Sequence, residues 1–232
     1  MHKKNHIVEF EKYAKNYDLF AKVQKIVAQE LIKEIDFKPL RILDIGCGTG
    51  EIYKNIPWKV ERFIGVDCSK SMCELHPLST NIEVICDDFE SKDFRERVLR
   101  LAPFDLVVSS SALQWAKELE QTLKFYSKLS DRVAFAIFTS GTFKTIYEIS
   151  KRKSFLPSFD LIQTIAKIYK NSNLYKRSYK IEFKDTLSML RYIKYSGTSG
   201  GSELLSYRET KHLIESYPYK YLEFEVTFLL NY

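Results

Sequence analysis

An acid and three alternating glycines form the stretch of this chain best suited to chemistry: Asp44, Gly46, Gly48 and Gly50 in RILDIGCGTG, Arg41 to Gly50. Glycine adopts backbone angles that a Cβ forbids and lets the main chain approach a ligand closely. The pattern D-x-G-x-G-x-G therefore describes a ligand-contacting turn. It is not the G-x-G-x-x-G spacing of a dinucleotide site, whose turn grips a pyrophosphate. Asp44 is placed to order the loop or to meet a ligand cation, while Gly46 and Gly48 permit close approach of a small zwitterion. A tight strand-to-helix turn that binds nothing is the alternative.

The glycine turn resembles motif I of the class I S-adenosylmethionine (SAM) methyltransferases, and the other candidates follow from where such a ligand would lie. Asp67 ends the next apolar run, seventeen residues beyond Gly50, where it can accept hydrogen bonds from vicinal ribose hydroxyls. It can also cap the helix beginning near Ser69, as can Ser69 itself. Met72 would cover an adenine. Asp88 suits the adenine amine and Phe89 its ring, with Asp87 an equal alternative to Asp88. Cys47 and Cys68, each at the carboxyl end of a strand, are expected to touch the ligand without reacting. Ser109, in the small hydroxyl run that ends the fourth strand, joins the cofactor set.

The elements that must hold these residues are legible from periodicity. Ile42, Leu43 and Ile45 read as a buried parallel strand, followed by a helix from Glu51 to Ile56 that Pro57 limits. Further strands are expected in RFIGVDCSKSM, IEVICDDFES, FDLVVSSSALQW and RVAFAIFT, with a helix over Lys117 to Leu129. Strand and helix alternate, which predicts a doubly wound α/β parallel sheet with its ligand at the carboxyl ends of the strands. Beyond Phe143 the rhythm breaks into helical patterns over Phe143 to Lys151 and Phe159 to Lys170, a candidate lid spanning about 143–178. Tyr179 to Phe183 alternates as a strand, Leu187 to Lys194 is helical, and Tyr195 to Ser202 reads as a flexible loop. The closing YLEFEVTFLL alternates with period two, as an antiparallel strand should. Upstream, apolar residues from Val8 to Ile35 recur at three- and four-residue steps. They predict a helical lead-in, read as a flap over about residues 1–36, with Tyr13 and Tyr17 either in the core or over the ligand.

Composition bounds the rest. A chain of 232 residues with 45% hydrophobic content suits one domain with a substantial core. There is no apolar run long enough to span a membrane, and MHKKNHIVEFEKY lacks the features of a signal peptide, so a cytoplasmic location is expected. Separately, a monomer is expected. The four cysteines and four histidines fit neither a disulfide framework nor metal-ligand spacing, and no metal is expected. The charge of +6 is concentrated: Lys151 to Lys220 carries fourteen Lys or Arg against six Asp or Glu. That is either a solvated surface or a face for an acidic partner. It lacks the dense basic and aromatic interleaving of a nucleic-acid surface, so no nucleic-acid partner is expected.

Taken together, F-x-x-Y-A-x-x-Y-D-x-x-A-x-V-Q from Phe10 to Gln24, SSSALQW at Ser109 to Trp115, Phe138 with TSGTF at Thr139 to Phe143, and LRYIKYSGTSGG at Leu190 to Gly201 resemble the malonyl-acyl-carrier-protein O-methyltransferases of biotin synthesis. The resemblance covers nearly the whole chain. Ser110 departs from it, standing where an asparagine is often found, and the segments between strands are short. It implies a seven-stranded Rossmann-like class I methyltransferase sheet with an antiparallel last strand, and methyl transfer from SAM to the carboxylate of malonyl on acyl carrier protein (ACP). It also implies cofactor roles for Tyr17 and Gln24, substrate contacts at Tyr13, Trp115, Thr142, Phe143 and Arg191, and positioning by Tyr13 and Tyr17 without a catalytic acid or base. ACP, an acidic protein, would dock on the basic segment 151–220 through residues such as Lys151, Arg152, Lys153, Arg177 and Arg191. A methyltransferase for another small carboxylate or a quinone-like acceptor, and a SAM-binding or RNA-binding protein without turnover, are the competing readings.

Overall fold

The computed structural model describes residues 20–196 and 206–232. Tyr13, Tyr17 and most of the glycine-rich loop expected after Tyr195 lie outside these residues.

Seven strands form one mixed sheet in the order β3-β2-β1-β4-β5-β7-β6. The strands are β1 (Arg41–Ile45), β2 (Arg62–Asp67), β3 (Ile82–Cys86), β4 (Leu106–Ser110), β5 (Val133–Phe138), β6 (Asn173–Glu182) and β7 (Tyr221–Asn231). The first five run parallel, and β7 runs antiparallel between β5 and β6. This is the expected doubly wound α/β sheet with an antiparallel last strand.

The sheet is covered on both faces because its central strands are apolar on both. In β5, Ala134, Ala136 and Phe138 point to one core while Val133, Phe135 and Ile137 point to the other. A parallel strand buried on two faces reads as such a continuous apolar run. One layer contains α1 (Lys22–Glu34), α2 (Glu51–Asn55), α6 (Lys144–Ser150), α8 (Thr186–Tyr195) and α9 (Tyr207–Ser216). The other contains α4 (Lys92–Leu101), α5 (Leu119–Tyr126) and α7 (Phe159–Ala166), and α3 (Lys70–Leu75) follows β2. Helix starts are set locally. Ser69, Ser91, Ser158 and Asp185 each accept a backbone amide three residues on, and Ser206 with Glu209 completes a capping box on α9.

Two expectations change. The lead-in helix is a core helix where it is described: Val23, Val27, Ala28, Leu31 and Ile32 of α1 are buried against the sheet. Each of the Val, Leu and Ile side chains contributes about 1.5–3 kcal/mol on burial. The stretch 143–178 is likewise not one projecting insertion. Ile146 of α6 is buried in one core, Ile162 and Ile165 of α7 in the other, and from Asn173 the chain is already β6. The strand begins earlier than Tyr179 because β6 pairs with β7 along its whole length, Asn173 with Leu230 through Glu182 with Tyr221.

Candidate functional site

The site lies at the carboxyl ends of β1, β2 and β4. As β1 ends, the amides of Gly46 and Cys47 both donate to the Val66 carbonyl, at 2.8 and 3.0 Å, which folds the glycine turn back over β2. Gly46, Gly48 and Gly50 all have positive φ. At Gly46 a Cβ would stand 2.1 Å from that of Ala112, so only glycine fits between β1 and the tip of β4. At Gly48 a Cβ would meet nothing within 4 Å, because that residue faces the open cleft.

Asp67, at the tip of β2, ties the turn down. Its Oδ2 accepts the Gly48 amide at 2.9 Å and its Oδ1 accepts the Ser69 amide at 2.9 Å. The helix-cap alternative falls to Ser69, whose Oγ accepts the Met72 amide at 3.3 Å. Gly46, Gly48, Asp67 and Cys68 form one side of the cleft, with Met72 and Phe89 as apolar walls. Opposite them stand Ser110, Ser111, Ala112 and Trp115.

Asp44 is fully buried and neither carboxylate oxygen has a hydrogen-bond partner. Burial, and then the nearby Asp67 charge, raise its pKa well above the usual carboxylate range. Ser110 Oγ, Ser111 Oγ and Gln114 Oε1 are also buried and unpartnered. Such groups are rare in folded proteins, so their grouping at the end of β4 points to a polar ligand. Ser111 is held there at φ 62, a left-handed conformation uncommon for a residue with a Cβ. The outer face of Trp115 stacks on Phe155, with ring centroids 5.5 Å apart, and Phe155 is itself exposed. A second depression, lined by Tyr53, Trp58, Pro77 and Asn81 among others, has no buried unpartnered polar atom among its lining residues.

Of the residues singled out in the sequence, Gly46, Gly48, Asp67, Cys68, Met72, Phe89 and Trp115 are brought together around the cleft. Several others have their side chains engaged elsewhere. Cys47 packs its sulfur against Gly65, where an added Cβ would lie 2.8 Å away. Ser109 is buried and donates to the Ile45 carbonyl at 2.7 Å, joining β4 to β1. Thr142 Oγ1 donates to the Glu225 carbonyl and accepts the Glu225 amide, both at 3.0 Å, so it fastens the end of β5 to β7. Phe143 is buried with its ring 5.1 Å from that of Phe224. Asp88 Oδ1 accepts the Glu90 amide at 2.8 Å, and Asp87 Oδ1 accepts the Asp88 amide at 2.7 Å, so both acids shape the turn after β3. Gln24 Nε2 reaches the Ser196 carbonyl at 3.4 Å, linking α1 to the end of α8.

The basic residues divide in the same way. Arg177 bridges Glu30 and Glu34 of α1 at 2.9 and 2.6 Å, and Arg152 pairs with Glu209 at 2.8 Å. Those two guanidinium groups brace the fold. Lys151, Lys153 and Arg191 are exposed. The sequence reading quoted the run SSSALQW but gave no site role to Ser110, Ser111, Ala112 or Gln114, and it did not single out Phe155. The first four follow the apolar run of β4 directly, and the glycine at 46 was the available signal that something small must face it.

Comparison with known proteins places these features in context. Residues 42–131 match a family model described as a methyltransferase domain. The malonyl-[acyl-carrier protein] O-methyltransferase of Acetivibrio thermocellus is 34% identical over 160 residues, 63% of this chain and 54% of that protein. The protein of the same name from Priestia megaterium is 31% identical over 150 residues, 60% of this chain and 53% of the relative. The chain thus spans about half the length of the curated relatives it matches. Among solved structures, the YcgJ protein of Bacillus subtilis superposes with a TM-score of 0.60 at 15% identity, covering 89% of this chain and 98% of that one. The plantazolicin methyltransferase BpumL, solved with a desmethyl analog and S-adenosylhomocysteine (SAH), superposes at 0.52 with 13% identity, covering 100% and 97%. The fold is that of the class I methyltransferases.

Proposed function

We propose that this chain is a SAM-dependent O-methyltransferase that esterifies the free carboxylate of malonyl-ACP, an early step toward the pimeloyl part of biotin. The observation that carries the reading is the cleft itself: a glycine turn, an acid at the tip of β2 and unpartnered hydroxyls at the tip of β4, in a chain 34% identical over 160 residues to a malonyl-ACP O-methyltransferase.

The residues fit the cofactor. Asp67 supplies carboxylate oxygens where a ribose would lie, Met72 and Phe89 supply apolar walls for a purine, and Gly48 leaves its Cβ position open. Buried Asp44 lies beneath the turn as an acid that a ligand cation would ionise. Bound SAM supplies an electrophilic methyl carbon on a sulfonium.

The acceptor carboxylate is ionised at neutral pH, so the protein needs no general base. Its work is alignment and exclusion of water. Ser110 and Ser111 offer hydroxyl donors to orient the carboxylate, and the Trp115–Phe155 stack shields that side of the cleft. Lys151, Lys153 and Arg191 remain as exposed cations for an acidic carrier protein. Arg152 and Arg177 leave that list because their charges are engaged within the fold.

The test is incubation with SAM and malonyl-ACP, malonyl-CoA, free malonate or a quinol, with the methylated product read by mass. Methyl ester formed fastest on malonyl-ACP supports the assignment, together with rescue of a biotin-requiring strain that lacks this step. Preference for another acceptor moves the chain to a different substrate within the same chemistry.

A further inference from the structure

Three thiols meet where β2 and β3 end. Asp67 and Cys86 are register partners in the parallel pair. The Asp67 carbonyl accepts the Asp87 amide at 3.0 Å and also the Cys73 thiol, at 3.4 Å from Sγ. That shared carbonyl brings the Cys73 thiol, from α3, beside the Cys86–Asp87 end of β3. Cys68 directly follows Asp67 at the end of β2. Cys86 is exposed, whereas Cys68 and Cys73 are partly buried. Among the described residues no group of three or more His, Cys, Asp or Glu side chains is arranged to hold a metal ion.

We infer that Cys73 and Cys86 are a modification site for peroxide, forming a reversible disulfide that distorts the adjoining wall of the cleft. The order of events follows from exposure. Burial, and then the Asp67 charge, hold the Cys73 thiol well above its usual pKa, and the same causes push Cys68 up to about 12. Oxidation therefore begins at the exposed Cys86. Its sulfur attacks one oxygen of hydrogen peroxide, the O–O bond breaks, and Cys86 sulfenic acid and one water result. The Cys73 sulfur then attacks the sulfenic sulfur. The S–S bond forms, the S–O bond breaks, and the oxygen leaves as a second water with the Cys73 proton. Two thiols have lost two electrons, and the peroxide has been reduced to water. A dithiol reverses the change by exchange.

The consequence lies in what each cysteine adjoins. Cys73 follows Met72, and Cys86 begins the turn that carries Phe89, so the bond links the two apolar walls of the cleft. A disulfide draws its sulfurs to about 2 Å and consumes the thiol donor that Cys73 offers Asp67. The effect on SAM rests on the methyltransferase reading; the bond does not.

The experiment treats the full chain with graded hydrogen peroxide, alkylates the remaining thiols, maps peptides by mass, and measures SAH affinity by calorimetry before and after. The expected result is a Cys73–Cys86 linked peptide and SAH binding about tenfold weaker (about 1.4 kcal/mol), restored by dithiothreitol. Cys73→Ser and Cys86→Ser should each abolish the peptide and keep their affinity under peroxide. Cys73 still alkylatable, a bond to Cys68 instead, or Cys86 halted as sulfinate overturns the site. A linked peptide with unchanged affinity overturns the effect on the cleft. Reduced protein that fails to bind SAH defeats the cofactor reading, while the peptide map still decides the disulfide.

Discussion

Asp67 Oδ2 accepts the amide of Gly48 at 2.9 Å, so the acid at the end of β2 sets the position of the turn that follows β1. The same carboxylate is the proposed ribose partner, which makes it both a clamp and a ligand. Asp67→Asn keeps the volume but loses a charged acceptor worth about 1.5–3 kcal/mol. SAH affinity measured by calorimetry should fall by roughly ten- to a hundredfold. An unaltered Kd would remove Asp67 from the cofactor site.

Gly46 and Gly48 separate fold from binding. Gly46→Ala combines positive φ with a 2.1 Å clash against Ala112, and should cost about 2–4 kcal/mol in denaturant unfolding. Gly48→Ala has positive φ but no clash, so its stability loss should be about 1 kcal/mol. Its methyl group enters the cleft, and weakened SAH binding should be its main defect. Equal melting temperatures for the two variants would contradict this division.

The buried Asp44 gives a pH signature. Its folded pKa is raised, so above the unfolded value of about 3.9 the native state keeps a proton that the unfolded chain has released. Stability from this group is complete below that value and declines as pH rises toward the raised folded pKa. Asp44→Asn cannot ionise, so its unfolding free energy should stay flat across that window and exceed the parent's by about 1–3 kcal/mol at neutral pH. A parallel decline in both proteins would show that Asp44 is not the group responsible.

Thr142 tests a correction. Its hydroxyl bridges both backbone groups of Glu225. Thr142→Val should lower stability by about 1–2 kcal/mol, with KM for the acceptor unchanged. A raised KM at unchanged stability would return Thr142 to the substrate site.

Phe155 offers the converse case. It is exposed and stacks on Trp115 at the cleft, so Phe155→Ala should leave SAH affinity and melting temperature nearly unchanged. Acceptor turnover should fall several-fold, with the loss read mainly in kcat/KM. Full activity on malonyl-ACP would show that the stack is surface packing.

Backbone requirements were easier to read from the residues than side-chain direction. Gly46 and Gly48 mark the turn because its positive φ angles favour glycine, and Asp67 could be placed at the tip of β2 because it ends an apolar run. Ser109 and Ser110 are adjacent hydroxyls, yet one joins β4 to β1 while the other lines the cleft. A strand alternates its faces, and a one-residue difference reverses the role. Thr142 and Phe143, expected at the substrate, have their side chains engaged with Glu225 and Phe224, which come from a strand distant in sequence. The start of β6 was missed because its pairing comes from β7, and Tyr207–Ser216, with its capping box, was a helix the periodicity reading passed over.

The position of β7 has a consequence for biosynthesis. It separates β5 from β6 in the sheet, yet it is the last strand in sequence. During translation the wholly buried β5 is therefore complete long before its neighbour exists, and β6 has no partner until residues 221–231 leave the ribosome. Over that interval the nascent chain presents an apolar edge strand, the kind of surface on which chains aggregate and chaperones act.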